Sequence, residues 1–281
     1  MLSVTIGSRS RCFLTAAAGF VLSGWIGMLP AAAEGGKQHI GDPGEESAVT
    51  YYTFPGVPRL AISRDGNLVR LEGPTGYEHI GNGEFSEGYV LCYGTTRVFD
   101  LGDDESGFGP STVGCSGRTC TVTRNTLDGK VQLKQVITKT ADPERSLNVE
   151  MTITNKTGSS LTGVVLRRQV DFDVDTGGPL GTGDFTNWFG ASERESAFAW
   201  NASNDHASED HALVLRYYNK LPEAARRLAK VTSAILDDSC NPVNIAANGP
   251  VQGDYGVTLQ YNVGTLTAGK ATVLSAQYQR N

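Results

Sequence analysis

From Val49 to the C-terminus, apolar residues recur at every second position in short runs that turn residues interrupt. The clearest run sets Leu147, Val149, Met151 and Ile153 on one parity and Asn148, Glu150, Thr152 and Thr154 on the other. A strand with one buried face requires this pattern. The stretch from Asn155 to Ser160 turns the chain, and Leu161 to Asp175 returns. Gly256 to Gly264 and Ala271 to Tyr278 repeat the arrangement around Leu266 to Lys270. Shorter runs occupy Leu60 to Ser63, Leu68 to Glu72, Tyr89 to Tyr93 and Cys120 to Arg124, with turns at Asp65-Gly66-Asn67 and Asp128-Gly129. Roughly a dozen such strands predict an all-β fold, a large antiparallel β-sandwich, with a closed barrel as the competing layout.

One segment follows another period. Between 222 and 236, Ala224, Leu228, Val231 and Ile235 fall at helical spacing behind Pro222 and Glu223, which predicts one short inserted helix. Covering a sheet edge is its expected role.

The N-terminal third of the first hundred residues reads as export machinery. Arg9 and Arg11 precede an apolar stretch from Phe13 to Leu29 and the small residues Ala31-Ala32-Ala33, which predicts a signal peptide over 1–33. The stretch is shorter than the roughly 20 apolar residues of a spanning helix, so no stable membrane anchor is expected after cleavage. Residues 34–48 lack periodicity and read as a flexible leader. The sandwich then takes 49–281, with a division near 140 if it consists of two packed halves.

Without 1–33 the chain carries 22 basic and 30 acidic residues, a balance of −8. No basic run occurs, which argues against nucleic acid as a partner. A secreted or periplasmic location also bears on the four remaining cysteines. Cys115 and Cys120 enclose a turn with Gly117, which suggests a hairpin staple and leaves Cys92 to pair with Cys240. Sequence permits two other connectivities, and the spacing is not that of a zinc site.

Thr152 to Val165, followed much later by Val263 to Lys270, resembles the strand grammar of secreted bacterial immunoglobulin-like sandwich modules. The resemblance covers about a sixth of the chain and implies a scaffolding or adhesive role. It carries no catalytic residue.

The densest chemistry lies in Arg167-Arg168-Gln169-Val170-Asp171-Phe172-Asp173-Val174-Asp175. On a regular strand Asp171, Asp173 and Asp175 would share one face about 7 Å apart, repelling unless wet or neutralised. Calcium suits such a set, and Asp184 and Asn187 are candidates to complete its shell. The match to an EF-hand loop fails at Thr176 and Thr182. A solvated acidic edge is the competing reading. Arg168 falls on the apolar parity and needs either a buried carboxylate partner or a β-bulge that turns it outward.

His206 to His211 reads as a polar loop with metal-ligand types, and His79 adjoins Glu78. Trp188 and Tyr93, with Tyr77, Tyr89 and Trp200, are candidates for stacking on a sugar ring, and core packing is the default reading for aromatic residues in a sandwich. The chain lacks a G-x-S-x-G elbow, a P-loop, an H-E-x-x-H helix and a dinucleotide fingerprint. The expectation is therefore an exported binding or structural protein, calcium-stabilised, that recognises an extracellular polysaccharide or a surface protein. The alternative is a glycosidase or polysaccharide lyase using acids near Asp171 or Glu78 in a groove.

Overall fold

The computed structural model describes residues 50–73, 76–80, 86–102, 104–141, 146–174, 187–192, 194–201, 212–218 and 226–280. Every described residue belongs to one compact unit. The predicted signal peptide and leader lie outside the described residues.

Among the described residues eighteen strands occur. They are β1 (Thr50–Phe54), β2 (Arg59–Ser63), β3 (Leu68–Glu72), β4 (Glu87–Tyr93), β5 (Thr96–Leu101), β6 (Asp104–Ser106), β7 (Thr112–Ser116), β8 (Thr119–Asn125) and β9 (Val131–Lys139). The second half adds β10 (Ser146–Asn155), β11 (Leu161–Asp171), β12 (Asn187–Ser192), β13 (Ser196–Asn201), β14 (Ala212–Tyr217), β15 (Arg226–Thr232), β16 (Val251–Gln252), β17 (Gly256–Leu266) and β18 (Ala271–Arg280). They form a nine-stranded sheet, β16-β12-β13-β14-β18-β10-β9-β8-β7, a six-stranded sheet, β15-β17-β11-β4-β5-β6, and a three-stranded sheet, β1-β2-β3.

Every named pairing is antiparallel, and one apolar core unites side chains of all three sheets. In β10 the alternation does what the sequence pattern requires: Leu147, Val149, Met151 and Ile153 are buried while Glu150 is exposed. Burying each of these side chains is worth roughly 1.5–3 kcal/mol, which fixes the register, because a slip of one residue would send them all to solvent.

The predicted helix is not there. Among the described residues no helix occurs, and Arg226–Thr232 is a strand paired along its whole length with β17, Ala229 opposite Leu259 and Val231 opposite Val257. The helical spacing of Ala224, Leu228 and Val231 coincides with an equally good period of two at Ala229 and Val231, both buried. The ladder hydrogen bonds offered by β17 decide between them, tertiary context overriding local preference. Residues 222–225 lie outside the described residues.

Two disulfides pin the sheets. Cys115 and Cys120 are cross-strand partners in the β7–β8 hairpin. Cys92 of β4 bonds Cys240, tying the 233–250 segment over the outer face of the six-stranded sheet, where Val90, Phe99, Leu101 and Leu236 make a second small core.

The turn between β8 and β9 is organised by Asp128. Burial works against its charge, but the Thr126 hydroxyl at 2.6 Å, the Lys130 N–H at 3.0 Å and the Tyr93 hydroxyl at 3.0 Å all donate to Oδ1. These bonds hold the carboxyl down at about 2. A depressed carboxyl contributes stability that is complete above its unfolded value near 4 and is lost as the pH falls through its folded value. Asp128→Asn should therefore unfold over a flatter acid limb than the wild type between pH 4 and pH 2, as followed by circular dichroism.

Candidate functional site

The charged residues of the interior come first, because they determine which groups are free to meet a ligand. β11 pairs regularly through Arg167 and Arg168, opposite Gln260 and Leu259, with its register shifts confined to the stretch from Leu161 to Val165. No bulge intervenes, and Arg168 points into the core at 0% exposure. Its partner is Glu87 of β4, also at 0%, with Nε 2.7 Å from Oε1 and Nη2 3.0 Å from Oε2.

Tyr278 completes the arrangement by accepting from Arg168 Nε at 2.9 Å and donating to Glu87, while Gln135 accepts from Nη1. Burial pushes the Glu87 carboxyl up from its usual range, and the charge of Arg168, the Tyr278 hydroxyl and the Leu68 N–H pull it back. The β2–β3 turn is wedged into this centre. The Gly66 carbonyl accepts from Arg168 Nη2 at 3.0 Å, and the Asp65 carbonyl accepts from the Tyr89 hydroxyl and Gln135 Nε2. At Gly66 φ is +89°, and a Cβ would meet Gln135 Nε2 at 2.8 Å, so this close approach needs glycine.

A second charged cluster adjoins the first. Asp65, Asp100 and Glu105 bring carboxylate oxygens within 4.8 Å of one another, close enough to hold a metal ion. Arg124 meets all three: Nη1 donates to Asp100 and lies 3.5 Å from Asp65, and Nη2 donates to Glu105 at 2.8 Å. Its guanidinium supplies the positive charge that three converging acids require. Burial opposes that charge, and the neighbouring Tyr89, Asp100 and Asp65 more than restore it.

The aspartate strand has a different setting from the wet edge that its spacing suggests. Asp171 ends β11 and Asp173 lies just beyond it, at 5% and 8% exposure, and their N–H groups donate to Ser86 and His79 carbonyls. Asp175 and Asp184 lie outside the described residues, as do His206 and His211. His79 is buried with Nε2 2.9 Å from the Gly73 carbonyl. Glu78 Oε1 accepts from the N–H groups of Leu71, His79 and Ile80, so it shapes a turn. Tyr93 is spent on the core, its ring buried and its hydroxyl held by Asp128.

Trp188 has another position. In β12 the buried parity is Asn187 and Phe189, and in β13 it is Ala197, Ala199 and Asn201. Trp188, Phe198 and Trp200 fall on the opposite parity, half-buried and apart from the hydrophobic core. Register places Trp188 directly across from Trp200, and their indoles stack at 6.2 Å with 15° between planes. Phe198 follows at 5.7 Å from Trp200.

Gly190 makes room for it: a Cβ there would sit 2.7 Å from the Phe198 ring. Val214 of β14 and Gln279 of β18 continue the Phe198 row, and Arg216, Gln277 and Asn148 continue the Ser196 row. Gln277 binds Arg216 Nε through Oε1 at 2.6 Å and Asn148 through Nε2 at 2.8 Å. The outer face of the nine-stranded sheet thus carries a half-buried aromatic platform that grades into the amides of Gln279 and Asn148 and the exposed guanidinium of Arg216. Such a surface can stack on an apolar ring face and hydrogen-bond the ring's edge.

No family model matches the sequence, and the comparison with characterised proteins finds no relative. In three dimensions a bacterial glucoamylase solved with acarbose is similar at TM-score 0.54 and 10% identity, covering 88% of this chain and 35% of that one. A polysaccharide lyase (TM-score 0.41, 12% identity, 76% and 30% covered) and the α-galactosidase AgaA of Geobacillus stearothermophilus solved with stachyose (0.24, 9%, 82% and 32%) are too distant to carry an argument. The chain has an all-β fold shared with part of a carbohydrate-active enzyme, and it spans about a third of that enzyme's length. Among the described residues no helix is long and apolar enough to cross a membrane.

Proposed function

We propose that this chain is an exported carbohydrate-recognition protein that lays an extracellular polysaccharide across the outer face of the nine-stranded sheet. The observation that carries the reading is the stacked pair Trp188–Trp200, extended by Phe198 and set away from the core. Large aromatic rings left out of a core are costly to wet unless a partner covers them. The amides and Arg216 beside them suit the hydroxyl-bearing rim of a sugar better than an apolar protein surface. Two disulfides fit the oxidising compartment in which such polymers are met. The fold shared with a glucoamylase agrees with this assignment, which rests on the platform itself.

Removal of both indoles tests it. Trp188→Ala/Trp200→Ala should keep the wild-type melting temperature within a few degrees and lose about tenfold or more in affinity for the polysaccharide by isothermal titration. Full affinity in this variant would reject the platform.

Catalysis on a carbohydrate is the second reading, favoured by the convergence of Asp65, Asp100 and the partly exposed Glu105 within 4.8 Å. The same titrated samples report on it: release of reducing ends that is abolished in Glu105→Gln, with binding intact, would establish hydrolysis.

A further inference from the structure

At the polar end of the platform lies an open cavity of about 460 Å³, lined by Arg216, Arg227, Tyr217, Tyr218, Glu195 and Gln279 among others. It is continuous with the aromatic rows. Val214, the cross-strand neighbour of Phe198, also lines it, and Arg216 lies two residues further along the same strand. The two ends are separated by four residues of β13, from Trp200 to Ser196, or roughly 13 Å of strand.

Among the described residues its two guanidinium groups are held in place without a carboxylate partner. Arg216 uses Nε to bind Gln277, which leaves its terminal nitrogens without a partner among the described residues. Arg227 lies over the Tyr217 ring at 5.2 Å, and the Tyr217 hydroxyl is fixed by the carbonyls of Leu228 at 2.8 Å and Gln260 at 2.9 Å. Neither arginine forms an ion pair among the described residues. Glu195 is the one carboxylate among the described residues of the lining, and it pairs with neither. Acids outnumber bases in the chain by 30 to 24, and elsewhere Arg124 and Arg168 are each met by carboxylates. Two forks at one cavity, neither in an ion pair among the described residues, form a place suited to an anion. Guanidinium geometry matches a planar carboxylate through two parallel hydrogen bonds.

We infer that this cavity binds the carboxylate of a hexuronate unit, so that the polymer on the platform is an acidic polysaccharide. The inference rests on the carbohydrate reading above and deepens it. A ring stacked on the platform leaves its chain free to run toward the arginines, where the carboxylate meets the guanidinium groups. Charge and stacking then act on different units of one ligand.

The test uses polygalacturonate and alginate, each against its own methyl-esterified form, which keeps the backbone and removes the charge. Wild-type protein should bind at least one acidic form about tenfold more tightly than its ester. Arg216→Gln/Arg227→Gln should lose that preference, the ratio of acid to ester affinity falling to about one. Arg216→Gln alone, at an exposed side chain, gives the same direction of change if the double variant folds poorly. Dextran sulfate is the polyanion control, and equal affinity for it would overturn carboxylate recognition. Equal binding of acid and ester, or a preference that survives in the variants, overturns the inference and leaves the carbohydrate reading standing. Binding to neither form of either polymer, nor to neutral glucans, removes both.

Discussion

An Arg168→Met protein is expected to unfold about 3–5 kcal/mol more easily than the wild type at pH 7. The substitution keeps the volume of the side chain and removes its charge, which leaves the Glu87 carboxylate buried without its cation. Gln135, Tyr278 and the Gly66 carbonyl lose a donor in the same step, so the wedge of the β2–β3 turn loosens with it. The pH dependence carries a sign. A buried carboxyl pushed up by desolvation contributes stability below its unfolded value, and that contribution is lost as the pH rises through the folded value. The variant should therefore lie nearest the wild type below pH 4.5 and fall away from it toward neutrality. Urea titrations at pH 4 and pH 7 measure both points. An equal deficit at the two pH values would mean that the loss is one of packing.

Opening the Cys92–Cys240 bond is the second large effect. The two cysteines are 148 residues apart, and a cross-link closing so long a loop restricts the unfolded chain strongly. Cys92→Ala/Cys240→Ala should cost about 2–5 kcal/mol in a denaturant titration. The folded state is affected as well, because the segment it ties down supplies the Asp237 and Ser239 carbonyls to Arg167. Arg167 is buried there, and its charge is already held down at about 10 by burial, with Asp237 and Asp238 opposing the shift. Removing the Cys115–Cys120 bond, which closes a separation of 5, should have a much smaller effect.

Much of this fold is written in local pattern. The alternation of Leu147 to Ile153 marks β10 and its buried face, and Leu68 to Glu72 marks β3 residue for residue. Arg168 stands out on the apolar parity of β11, which leaves a buried ion pair and an outward bulge both open, and the structure takes the ion pair. Its partner does not stand out: Glu87 lies 81 residues away, and only the pairing of β4 with β11 brings the two together. The same holds for Arg124, which collects acids from three separate turns and strands.

The helix expected near 222–236 fails for a related reason, since Val231, which belongs to the helical spacing, also lies two residues from the apolar Ala229. An edge of β17 decides the outcome, and no residue in the segment announces that edge. The candidate site is legible in part. Trp188 is nameable as a stacking residue, but its contact with Trp200 depends on the β12–β13 register, and the partnership of Arg216 with Arg227 depends on two sheets meeting. The sequence sets Asp171, Asp173 and Asp175 at alternate positions, whereas the structure buries Asp171 and Asp173.

The chain contains three tryptophans, Trp25, Trp188 and Trp200. In a Trp25→Phe protein all indole emission arises from the platform, so fluorescence observes the proposed binding face directly. Saturation with the polysaccharide should shift that emission to shorter wavelength and shield it from acrylamide, with the same midpoint as the calorimetric titration. Binding that leaves both the emission and the quenching unchanged would place the polymer elsewhere and contradict the account.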